Sequence, residues 1–66
     1  MLLPDEVRPR LKNDEAAAAL GVKPDTLKAW RSRGVGPAFV RVNGAIRYDP
    51  VDIAVYLGAR RVEPRA

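Results

Sequence analysis

The sequence predicts a mainly α domain with a small β-hairpin, arranged as a winged helix-turn-helix. Three observations carry that expectation. Two short helical segments, Leu11–Gly21 and Lys23–Gly34, meet at a tight glycine-containing turn, the signature of a helix-turn-helix. Asn43-Gly44 then separates two short apolar-rich runs, the strongest local signal for a two-residue hairpin. Asp49-Pro50 finally opens a third helical segment with a capping acid and a proline at the first position.

Taken in order, residues 1–10 carry Pro4 and Pro9 and no sustained period, which predicts an extended N-terminal arm. In the first helix, Asn13, or Lys12 with Glu15 three residues on, offers a cap. Alanines 16–19 combine high helix propensity with small size, so a second helix can approach closely. Pro24 fits the first position of the second helix, Asp25 its positive end, and Gly34 a left-handed stop. Ala17, Leu20, Val22, Leu27 and Trp30 form the expected shared core. Phe39–Val42 and Ala45–Tyr48 make the ribbon, read as apolar through Val40, Val42 and Ile46 on one side and displaying Arg41 and Arg47 together on the other. Val51–Leu57 forms the last helix, stopped by Gly58. The predicted organisation is an arm over 1–10, one domain over 11–58 and a polar tail over 59–66.

Composition narrows the chemistry. The 66 residues include no cysteine and no histidine, so disulfides, thiolate metal sites and the commonest acid–base residue are missing. No metal and no cofactor is expected, and without a glycine-rich phosphate loop no enzyme either. Asp49 and Asp52 have structural work at a helix start. No apolar run approaches a membrane span of about 20 residues, so no membrane partner is expected and the expected location is cytoplasmic; no small-molecule ligand is expected either. Net charge is +4, and residues 23–47 hold six basic side chains against one acidic. That concentration is the footprint of a polyanion site. On the second helix, Leu27 and Trp30 form the docking face. Asp25, Lys28, Ala29 and Ser32 lie opposite, flanked by Arg31 and Arg33, and Lys23 at the cap position suits a phosphate.

The series Glu15-Ala16-Ala17, Leu20 through Arg31, Gly34, Pro37, Arg41, Asn43-Gly44, Arg47-Tyr48, Asp52-Ile53 and Tyr56-Leu57 resembles the small winged helix-turn-helix proteins of the MerR-like superfamily, closest in pattern to the phage excisionases. The resemblance spans Leu11 to Leu57. It implies a second helix in the major groove and a hairpin wing on the backbone or minor groove. It carries a role in double-stranded DNA binding onto Lys23, Thr26, Lys28, Ala29, Arg31, Arg41 and Arg47. Together with Asp25, Ser32, Arg33 and the turn residues Asn43 and Gly44, these form the candidate interface. Lys23 departs from the usual capping serine or threonine, and Ala29 is smaller than the residue often found there, leaving a methyl contact to thymine. The resemblance further implies neighbouring copies of the chain on DNA, an integrase as partner, DNA bending, and control of recombination direction. A small phage transcriptional regulator shares every DNA-binding residue, and a protein-interaction module is the remaining alternative.

Overall fold

The computed structural model of the protein describes residues 11–64. Its elements are α1 (Asn13–Leu20), α2 (Pro24–Ser32), β1 (Val40–Val42), β2 (Ala45–Arg47) and α3 (Pro50–Ala59). Three helices and one antiparallel hairpin make the expected small winged helix-turn-helix. The predicted arm at 1–10 lies outside the described residues.

Helix α1 begins later than its propensity suggests. Leu11 does not start the helix but forms an antiparallel bridge with Tyr48, with N–H···O bonds of 2.9 and 2.7 Å in the two directions. The chain entering α1 is therefore stitched to the end of the wing. Lys12 occupies the cap position, and its backbone N–H donates to the Glu15 carboxylate at 2.8 Å. Only that half of a capping box is chemically available, because a lysine ammonium has no acceptor to return. Asn13, a cap candidate on sequence grounds, is the first helical residue, and its side chain is used elsewhere.

The helix-turn-helix connection is Gly21-Val22-Lys23. At the end of α1, Val22 N–H donates to Ala17 O at 3.0 Å and Gly21 N–H to Ala18 O at 3.2 Å. The end of α2 repeats the pattern, from Val35 to Trp30 O at 2.9 Å and from Gly34 to Arg31 O at 3.1 Å. Both are Schellman closures, which satisfy carbonyls that a helix end leaves unpaired.

The hairpin turns on Asn43 (φ 50°) and Gly44 (φ 82°), the pair of positive values that a type I′ turn requires. Its register pairs Val40 with Arg47, Arg41 with Ile46 and Val42 with Ala45. Directly opposed residues share a face, so the shared polar face expected for Arg41 and Arg47 does not exist. A two-residue turn places these arginines on opposite sides. Arg41 shares its side with Ile46, and stepping by two along each strand adds Phe39 and Tyr48, whose rings meet at 5.9 Å. This inward side packs on the core. Val40 and Val42 lie on the other side and stay exposed.

Helix α3 is capped by Asp49, whose carboxylate accepts from Val51 N–H at 2.8 Å. It continues through Gly58, where the sequence predicts a stop, and ends at Ala59. Gly58 is not in a positive-φ conformation. The Arg60 guanidinium lies 3.7 Å from the Tyr56 ring centroid, one turn back, and covers that last turn.

Helix α1 packs against both α2 and α3. Ala16, Ala17, Leu27 and Tyr48 are fully buried and Ile53 nearly so. The two alanines let α2 and α3 approach, and Leu27 fills the space; burying such a side chain contributes about 1.5–3 kcal/mol. Of the other expected core residues, Leu20, Val22 and Trp30 are half-buried at the margin. Trp30 packs beside Tyr56, with ring centroids 6.1 Å apart. Gly36, at φ 96°, passes over the same indole; a Cβ there would stand 3.1 Å from Trp30 Cε3.

Candidate nucleic-acid interface

Helix α2 turns its sides to different tasks. With Leu27 pointing into the core, a rotation of about 100° per residue puts Asp25 and Ala29 at the outward pole. Both are exposed. Lys28 and Ser32 lie on the flank toward the wing, and Arg33 and Thr26 on the other flank. Lys28, Ser32 and Arg33 are exposed, whereas Thr26 is half-buried. Lys23 caps α2 through its backbone alone, leaving its exposed side chain uncommitted to the cap.

Arg31 sits closest to the core of these cations. Its Nη1 donates to Asn13 Oδ1 and, at 3.1 Å, to the Tyr48 hydroxyl. Asn13 Nδ2 in turn donates to Pro24 O at 3.1 Å. The guanidinium carbon lies 5.9 Å from the Phe39 ring centroid and 6.0 Å from that of Tyr48. One side chain thus joins the start of α1, the body of α2 and the base of the wing. Its Nη1 is occupied internally, and the residue also lines a concavity of about 200 Å³ together with Lys28, Ser32, Arg41 and Ile46. Three cations and a hydroxyl, drawn from α2 and the hairpin, line this space together with the apolar Ile46.

The wing divides its arginines. Arg41 is exposed on the side that faces α2 and joins the concavity. Arg47 is half-buried on the opposite side, where its Nη1 donates to Ile46 O at 2.8 Å. Asn43 and Gly44 form the exposed tip. The candidate residues therefore fall into an outward helix pole, a helix–wing cleft, and Arg47 apart from both.

A helix-turn-helix domain family matches residues 10–61, most of the chain. The chain belongs to that family. The match covers all three helices and the wing, so the helix-turn-helix domain includes the hairpin and the α3 helix behind it. No curated protein and no solved structure matches the chain significantly. Membership makes duplex DNA the partner class of this helix-turn-helix domain, in agreement with the charge of its middle third. Among the described residues no helix is long and apolar enough to cross a membrane, and no cluster of acids could hold a metal ion.

Asn13, Tyr48 and Ile46 support the site without being evident as site residues in the sequence. The register offered a signal for two of them: Tyr48 lies two residues from Ile46, on the same face as Phe39 across the ribbon. Nothing local marks Asn13, whose partners are 11 and 18 residues away.

Proposed function

We infer that this helix-turn-helix domain reads duplex DNA with α2 in the major groove and the hairpin against the adjacent backbone or minor groove. The observation that carries the reading is the cleft in which Lys28, Arg31 and Ser32 of α2 meet Arg41 of the wing. A groove-bound helix needs flanking cations for the phosphates, and a second element bearing one beside it extends the contact along the duplex. The exposed pole of Asp25 and Ala29 is left for base edges.

The likeness to phage excisionases supports a more particular role. The domain loads side by side on repeated sites, bends the DNA, and biases an integrase toward excision. Bending follows if the wing draws one groove toward the helix while α2 holds the next. In the alternative role, transcriptional regulation, the same contacts would occlude a promoter.

Selection from a random duplex pool supplies a site for the test. Binding should weaken with salt at a log–log slope of roughly −4 to −5, as four to six neutralised phosphates require. Permuted fragments carrying the site should migrate as bent DNA. With the cognate integrase, addition of the protein should raise excision and suppress integration. Tight binding without any effect on recombination would leave the regulator reading and remove the excisionase one.

A further inference from the structure

We propose that the cleft between α2 and the wing seats a single phosphodiester of the DNA backbone, and that Asn13 and Tyr48 hold Arg31 in place for it. The proposal rests on the reading of this surface as a duplex interface and adds which group it grips and how. Lys28 and Arg41 come from different elements yet line the same concavity with Arg31, Ser32 and the apolar Ile46. Its volume of about 200 Å³ admits one phosphodiester group with room for bridging water. Like charges brought together in this way repel one another, and a shared anion offsets that repulsion.

Arg31 differs from its neighbours in being fixed before DNA arrives. Its Nη1 bonds to Asn13 Oδ1 and the Tyr48 hydroxyl orient the guanidinium plane, with Phe39 and Tyr48 rings beside it. Tyr48 is fully buried and bridged to Leu11, so this platform does not swing. A planar guanidinium held at one edge presents its remaining donors as a fork suited to phosphate oxygens. Lys28 and Arg41, both exposed, close on the anion from either side. On this account Lys28 and Arg31 set the height and register of α2 without reading sequence.

The salt dependence of duplex binding tests the shared seat, because its slope counts phosphates neutralised rather than cations present. The chains compared are wild type, Lys28→Gln, Arg41→Gln and the double variant, all full length and on one selected duplex. The single variants should each lower affinity about 10-fold or less, as a lost phosphate contact does. The double variant should lower the slope by no more than about one, with a loss smaller than the product of the single losses. A slope reduced by about two with multiplying losses would assign the cations to separate phosphates and overturn the shared seat, while leaving the DNA interface standing. Unchanged affinity in the double variant would overturn it too. Failure of wild type to bind any duplex at low salt would remove the interface reading and the seat together.

Asn13→Ala tests the positioning of Arg31. It should weaken binding several-fold at an unchanged salt slope, at temperatures where the variant is fully folded, since no cation is removed. Tyr48→Phe gives the same readout if Asn13→Ala folds poorly. Wild-type affinity in a folded variant would overturn the positioning role.

Discussion

At the residue scale the molecule depends on a few side chains with double duties. Tyr48 fills the core with its ring and accepts from Arg31 with its hydroxyl. Tyr48→Phe keeps the ring and should cost about 1–3 kcal/mol, because a buried-side donor of a charged group loses its partner. Urea unfolding measures it. Leu27→Ala should cost about 2–5 kcal/mol and leave no cooperative transition, since a chain this small has little stability in reserve. The importance of Leu27 was legible from its spacing to Trp30 on an otherwise polar helix. The role of Arg31 was only half legible. Its charge and its place beside the polar face mark it as a candidate for a phosphate contact. That its Nη1 reaches Asn13 and Tyr48 depends on how α1 and the wing close on α2, and no local pattern encodes that.

At the scale of elements, the hairpin is where sequence and structure meet most closely and also where they part. Asn43-Gly44 announced a type I′ turn, and both residues take the positive φ it needs. The same two-residue turn fixes the parity of the strands, and parity forbids Arg41 and Arg47 from sharing a face. Hydrophobicity alone points the other way, because Val40 and Val42 read as core residues although they are exposed. The functional ranking follows the register. Arg41→Ala should reduce DNA affinity more than Arg47→Ala, because Arg41 faces α2 and Arg47 spends a donor on Ile46 O. Replacing Asn43-Gly44 by Ala-Ala forces positive φ on residues that resist it and should splay the ribbon. Affinity and bending should then fall together in a gel-shift assay while the helical circular dichroism signal stays nearly unchanged. Full bending by that variant would reduce the wing to a lid on the core. The end of α3 was legible only in part: Gly58 reads as a stop, but a glycine in a last turn costs only about 1 kcal/mol and Arg60 stacks over Tyr56 across it.

At the scale of the whole molecule, charge was the most legible property and assembly the least. The excess of cations between residues 23 and 47 maps onto α2 and the wing, with α3 behind them. We expect a monomer in dilute solution by sedimentation, and cooperative loading on DNA that carries several neighbouring sites. Because α3 extends to Ala59 and Arg60 covers its last turn, the tail is best removed from residue 62 onward. That truncation should lower cooperativity more than single-site affinity, and a tight DNA-free dimer would count against the picture. The central claim is that α2 and the wing together form a duplex-DNA interface. It is tested most directly by titrating the isotope-labelled protein with duplex at low salt and following its backbone amide resonances. The account predicts that resonances of residues 23–33 and 40–47 shift together and saturate, while those of 53–57 in α3 hold still. Shifts confined to α3, or none at any DNA concentration, would contradict it.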